Sequence, residues 1–157
     1  SNADGSDWAI VNGAVVATTG QAITPGASET WSDAPFATTF FWMASNNNGD
    51  YVIGGTTSNS DPLADAVLVL NGETVLLRQG DAVDLNGDGL LNDNAYINIF
   101  NNDDGFLTDD GFLYLTADLM DGSGAALGQA FLVYQIPAPG ALSALGLAGA
   151  FATRRRR

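Results

Sequence analysis

Ala66-Val67-Leu68-Val69-Leu70-Asn71-Gly72-Glu73-Thr74-Val75-Leu76-Leu77-Arg78 is two apolar runs joined by an Asn-Gly pair. Asn-Gly between such runs is the strongest short-range signal for a tight β-hairpin, because both residues accept the positive φ that a two-residue loop needs. Val67 and Val69 would face one way and Leu68 and Leu70 the other. Since both sets are apolar, the pattern suits a strand covered on both sides or packed between neighbouring sheets.

Working outward, the same signal recurs in Trp8–Val11, Asn12-Gly13 and Ala14–Thr19. Further strands are predicted at Ala37–Ala44, Tyr51–Thr57, Tyr96–Phe100, Phe112–Ala117 and Ala130–Gln135, separated by Gly, Asn, Asp and Pro. No stretch of the body carries a 3.6-residue period, so the predicted class is all-β with antiparallel strands. An internal repeat is also visible. Ala9-Ile10-Val11-Asn12-Gly13 returns as Leu68-Val69-Leu70-Asn71-Gly72, Asn48-Gly49-Asp50-Tyr51-Val52 as Asp110-Gly111-Phe112-Leu113, and Asp65–Val69 resembles Gln129–Val133. This divides 4–135 into units 8–65 and 66–135, each with about four strands, the content of a propeller blade. Two blades cannot close a ring. The preferred architecture is a β-sandwich, with blade-like repeats as the alternative and chance similarity among hairpins as the plain one.

Sixteen Asp and two Glu face five Arg and no Lys, and four of those Arg end the sequence. Without Arg154–Arg157 the net charge of −13 becomes −17, with Arg78 the lone cation. Nucleic acid is thereby a poor partner, since its phosphates reward basic surfaces. With no Cys and no His, disulfides, thiol nucleophiles, nucleophile–His pairs and His/Cys metal sites are all excluded. Only carboxylate chemistry is left for catalysis. Among so many acidic residues, neighbours such as Asp109-Asp110 fall together by chance, so no catalytic residue is assigned.

The tail gives the clearest address. Ile136 is followed by Pro137, Ala138, Pro139 and Gly140, then an apolar run from Ala141 to Thr153, then Arg154, Arg155, Arg156 and Arg157. In that order these features resemble a PEP-CTERM sorting signal, with Ala138 standing where such signals usually carry Glu. The resemblance covers 136–157 alone. It implies export, transient insertion in the inner membrane, cleavage by an exosortase-type enzyme, and delivery to the cell surface or its exopolysaccharide matrix. The physical reading gives the same topology. Thirteen residues are short for a bilayer core that wants about 20, and arginines after the run favour a cytoplasmic end. A permanent anchor or a tail without a sorting role are the alternatives. At the other end, Ser1-Asn2-Ala3 resembles the remnant of a cleaved tag, leaving residues 1–3 outside the fold reading.

The sharpest chemistry lies in Asp84-Leu85-Asn86-Gly87-Asp88-Gly89-Leu90-Leu91-Asn92-Asp93-Asn94. Oxygen side chains at the first, third and fifth positions with Gly at the sixth resemble the first half of a calcium loop like that of EF-hands and dockerins. Asp84, Asn86, Asp88 and the Leu90 carbonyl would be ligands. Asn92, Asp93 or a remote carboxylate such as Asp81, Asp103 or Asp104 would complete the set. Ala95 stands where an EF-hand has its bidentate Glu, and a metal-free Asx-turn loop is the alternative. A structural Ca²⁺ is therefore the expected cofactor. A second cluster, Asn101–Gly105 and Asp109-Asp110-Gly111, either adds to that site or forms two Asp-Gly turns around a short strand.

Trp8, Trp31, Trp42, Tyr51, Tyr96, Tyr114 and Tyr134 are expected in the core before any sugar platform. Trp31, in the polar stretch Ser28–Asp33, is the candidate for an exposed ligand contact. Together these features predict a non-enzymatic, calcium-stabilised protein of the cell surface or matrix. A carbohydrate-binding module acting in exopolysaccharide is the second reading, and a polysaccharide hydrolase using Asp carboxylates the third.

Overall fold

The computed structural model describes residues 5–34 and 38–136. The predicted tail, with Pro137, Pro139, Gly140 and Arg154–Arg157, lies outside the described residues, as do residues 1–3. The described part is all-β and antiparallel. Its strands are β1 (Trp8–Val11), β2 (Ala14–Thr18), β3 (Phe40–Ser45), β4 (Tyr51–Thr56), β5 (Ala66–Leu70), β6 (Thr74–Arg78), β7 (Tyr96–Leu107), β8 (Phe112–Met120) and β9 (Ala126–Gln135). They form a two-stranded sheet β1-β2, a four-stranded sheet β3-β4-β5-β6 and a three-stranded sheet β7-β8-β9. No helix occurs among the described residues, so none there is long and apolar enough to cross a membrane.

Both Asn-Gly pairs do what their chemistry requires. Asn12 and Gly13 have φ of 50° and 80°, and Asn71 and Gly72 have 52° and 69°. The first makes a two-residue loop with Val11 opposite Ala14, whereas the second spans Leu70 to Thr74, one residue longer. The four-stranded sheet runs unbroken across residues 65 and 66, where the sequence similarity divides the protein, because β4 pairs with β5 from Val52↔Leu70 to Thr56↔Ala66.

The core follows the alternation read in β5. Val67 and Val69 join Ala9, Ala17, Ile23, Trp31 and Ile53 in one buried cluster. Leu68 and Leu70 join Val52, Leu76, Ile97, Phe100, Leu107, Leu113, Leu115, Ala117, Leu119 and Ile136 in another. The four-stranded sheet is thus covered on one face by the β1-β2 hairpin and the segment around Trp31. Its other face shares a core with β7-β8-β9. Burying apolar area is worth about 25 cal/mol per Å², so a strand apolar on both faces draws cover from both sides.

Glycines make room for the aromatics. Between sheets, a Cβ on Gly105 of β7 would sit 2.5 Å from the Trp42 ring of β3; within the four-stranded sheet, one on Gly54 of β4 would sit 2.7 Å from Phe41 of β3. The turns of the two sheets are also tied together. Asp109 accepts bonds from the Asn47 amide and Asn47 Nδ2, both at 2.9 Å, while Asn46 Nδ2 donates to the Thr108 carbonyl at 3.1 Å. The bonds from Asn47, that of its Nδ2 foremost, hold the Asp109 carboxyl below its usual range. Asp109 is therefore occupied at the turn between β7 and β8. The other half of that acidic cluster, 101–105, is no turn. It lies inside β7, where the register slips between Phe100 and Gly105 to absorb the extra residues.

Candidate functional site

After β6 the backbone leaves the four-stranded sheet and crosses to the start of β7. Gly80 N–H donates to the Ile97 carbonyl, Ile97 N–H to the Asp81 carbonyl, and Val83 N–H to the Ala95 carbonyl at 2.9 Å. That last bond pinches the base of the Asp84–Asn94 excursion. Ala95, at the position where a calcium loop would end on a carboxylate, is 1% exposed and packs inward. Burial there explains the small apolar residue.

Inside the excursion, the acidic groups turn mainly to backbone amides. Asp84 Oδ1 accepts from Gly87 N–H and Oδ2 from Gly89 N–H, each at 2.7 Å. Asn86 Oδ1 accepts from Asp88 N–H at 2.9 Å, and Asp88 Oδ1 from Leu90 N–H at 2.8 Å. Asp93 reaches back across the loop: Oδ2 accepts from Leu85 and Asn86 N–H, and Oδ1 from Asn86 Nδ2 at 2.8 Å. Backbone amide bonds, that of Gly89 foremost, hold the Asp84 carboxyl below its usual range. Asp81, a possible remote ligand by sequence, turns instead to the end of β6 and accepts from Arg78 N–H at 2.7 Å.

The donor set is all oxygen, which fits a hard cation in kind. Each amide-bonded oxygen of Asp84 and Asp88 keeps a second lone pair, whereas Asp93 Oδ2 already accepts from two amides. Asp84, Asn86 and Asp88 follow one another along a run that turns at Gly87 (φ 75°) and Gly89 (φ 84°), with Leu90 next in line. Among the described residues no group of three or more acidic side chains converges as a metal site. Calcium held here would thus depend on Asn86 and the Leu90 carbonyl as much as on the carboxylates. Asn92, two residues after Leu90, is exposed.

The loop borders a groove of about 540 Å³ whose lining includes Leu76 and Leu77 of β6, Asp84, Leu91, Phe131 and Val133. Leu91, Phe131 and Val133 are 68%, 61% and 53% exposed. β9 is the edge strand of its sheet. On the outward face of that sheet Phe106, Tyr114 and Phe131 form a cross-strand row. Phe106 stacks on Tyr114 at 4.7 Å and 11°, and Tyr114 meets Phe131 at 6.0 Å and 34°. Strand alternation was the available signal: Leu113, Leu115, Ala117 and Leu119 are inward, so Tyr114 and Thr116 must be outward. Without the pairing register, nothing in the sequence showed that three aromatics would line up there.

Trp31 corrects the expectation of an exposed contact. It is 2% exposed and sits edge-to-face on Phe40 at 5.1 Å and 65°. Its ring lies so close to Gly55 that a Cβ there would be 2.7 Å away. The surrounding stretch is polar, yet its backbone is sewn down. Trp31 N–H donates to the Gln21 carbonyl, Gly20 N–H to that of Trp31, Ser32 N–H to that of Thr56, and Ser58 N–H to that of Thr30. Trp8, expected in the core, is instead 49% exposed.

The lone cation of the described residues belongs to the same region. Arg78 grips Glu29 with two bonds, Nη1–Oε1 at 2.9 Å and Nη2–Oε2 at 2.7 Å, and Thr57 Oγ1 also donates to Glu29. The Arg78 bonds are the main reason that the Glu29 carboxyl lies below its ordinary value. This pair fastens the Trp31 segment to β6; it is no open anion site.

Compared with known proteins, the sequence matches no family model and no curated protein, and the fold matches no solved structure.

Proposed function

We propose that this protein is a non-enzymatic, exported component of the cell surface or extracellular matrix, with a calcium-stabilised β body. Its tail would insert transiently in the inner membrane and be cut by an exosortase-type enzyme. The observation that carries the address is the order Pro137, Pro139, Gly140, apolar run, Arg154–Arg157. The acidic, Lys-free and Cys-free body is consistent with a passenger that must not bind nucleic acid. In architecture we favour a sandwich-like stack of β1-β2, β3–β6 and β7–β9, supported by the two clusters that flank β5. Blade-like repeats are the alternative arrangement.

The calcium part rests on the pinched Asp84–Asn94 loop, in which Asp84, Asn86, Asp88 and the Leu90 carbonyl would be ligands and Asn92 and Asp93 would complete the set. Titration calorimetry with Ca²⁺ is expected to give heat, and the melting temperature is expected to rise with added Ca²⁺. No heat and no rise would leave the metal-free Asx-turn loop as the answer. For the address, mass spectrometry of the protein extracted from its native host surface should find an end before Ala141. An intact Arg154–Arg157 there would defeat the sorting reading.

A second reading, binding of a polysaccharide, is favoured by the exposed row Phe106-Tyr114-Phe131. Stacked upon each other, these rings offer edges and outer faces to a sugar rather than a full flat platform. Glycan-array binding that disappears in Tyr114→Ala and Phe131→Ala would support it, and binding indifferent to both would remove it.

A further inference from the structure

Four Asn-Gly pairs occur in the sequence, at 12, 48, 71 and 86. An Asn followed by Gly can modify itself. The backbone nitrogen of the Gly attacks the carboxamide carbon (Cγ) of the Asn, the Cγ–Nδ2 bond breaks, and ammonia leaves. Water then opens the cyclic imide at either carbonyl, giving Asp or its β-linked isomer. One water is consumed and one ammonia released, with no redox change. The step requires the carboxamide to swing onto the next nitrogen, so whatever holds that group slows it.

Three of the four are held. Asn71 Oδ1 accepts from Tyr51 N–H at 2.8 Å and its Nδ2 donates to Asp50 at 3.0 Å. Asn86 Nδ2 donates to Asp93 at 2.8 Å while its Oδ1 accepts from Asp88 N–H at 2.9 Å. Asn48 Nδ2 donates to the Asp109 carbonyl at 2.6 Å. Asn12 differs in one respect that matters. Like Asn48 and Asn86 it is exposed, and the glycine after it is open, but its carboxamide makes no hydrogen bond among the described residues.

We propose that Asn12-Gly13 is a self-modification site, with water as its only co-reactant, and that the other three Asn-Gly pairs are protected by the bonds to their carboxamides. The consequence is local and directional. The product adds a carboxylate to the loop between β1 and β2, and the β-linked isomer also inserts one backbone carbon. A two-residue loop with Val11 opposite Ala14 has no slack for it. Ala9 and Ala17, which this hairpin lays over the Trp31 cluster, would lose their register.

The test is peptide mapping by mass spectrometry of the full-length protein after incubation at mildly alkaline pH below its melting transition. Asn12 should convert first. Each hydrogen bond that must break slows a held site about fivefold, and the two bonds on Asn71 or on Asn86 about 30-fold. The same incubation in concentrated urea supplies the reference. There the four sites should react at similar rates, so the native-to-denatured ratio isolates the effect of the fold. Asn71, Asn86 or Asn48 converting natively as fast as Asn12 would overturn the proposal, as would an Asn12 no faster natively than the held sites. An Asn12→Asp variant should reproduce the charge change while leaving the hairpin cover in place, since it adds no backbone atom. If it loosened the Trp31 cluster as much as the isomerised protein, the register argument would fall.

Discussion

The segment 20–33 and strand β9 invert each other. By composition the first is a polar loop and the second, Ala-Leu-Gly-Gln-Ala-Phe-Leu-Val-Tyr-Gln, an apolar strand. In the fold Trp31 of the loop is 2% exposed and Phe131 of the strand 61%. The loop is buried at one point because its backbone is bonded on both sides, to Gln21 within the loop and through Ser32 to the end of β4. The strand is exposed because it lies at the edge of a sheet whose other face already fills the core. Burial here is decided by which neighbour arrives, and composition is silent about neighbours.

Substitution at the two aromatics should separate these regions most widely. Trp31→Ala is expected to cost about 3–5 kcal/mol, the range for emptying a large buried aromatic site. Phe131→Ala should stay within about 0.5 kcal/mol, as for exposed positions. Urea unfolding monitored by circular dichroism reads both, and equal losses would break the comparison.

A smaller effect tests the packing beneath Trp31 without removing it. Gly55→Ala places a Cβ 2.7 Å from the indole and 2.9 Å from the Thr39 carbonyl, so overpacking of about 1–3 kcal/mol is expected. Neutral behaviour would mean that the indole can move and that its burial is loose.

The smallest effect concerns the fastening of the loop. Glu29→Gln removes one partner of a partly exposed ion pair and should cost about 1–2 kcal/mol, between the values for exposed and enclosed pairs. Because the Glu29 carboxyl is lowered in the fold, its contribution is present above the ordinary Glu range and fades as pH falls through the lowered value. The variant and the parent should therefore converge in stability toward acid pH. A gap that persists unchanged in acid would show that Glu29 acts through shape and not charge.

Much of this fold was legible. Nine strand segments lie where alternation and Asn-Gly pairs placed them, because those signals are local and each residue carries its own share. The ends were less legible: β7 runs on to Leu107 and β8 to Met120, through Asn, Asp and Gly that read as breakers. A register slip accommodates them, and slips depend on the partner strand. The candidate loop could be read as far as its donor types and its Gly turns. Asp93 reaching back over Leu85 and Asn86, and Val83 closing the base on Ala95, could not be read, since both join residues well separated in sequence. The polar stretch around Trp31 made it the candidate for an exposed contact, and its burial depends on equally remote partners. The aromatic row on β7-β8-β9 needs three registers at once, and none is written in any single strand.

Strand β5 has a further consequence for how the molecule comes apart. It is flanked by β4 and β6, and its last four residues are nearly inaccessible. Their amide protons can meet solvent only when a neighbouring strand is peeled away and a cluster is opened with it. Val67 to Leu70 should thus be the slowest amides in the molecule to exchange with deuterium, at the rate of whole-body opening. The β1-β2 hairpin, with no third strand to share, should exchange first. Disassembly would then run from the rim toward a single five-residue strand.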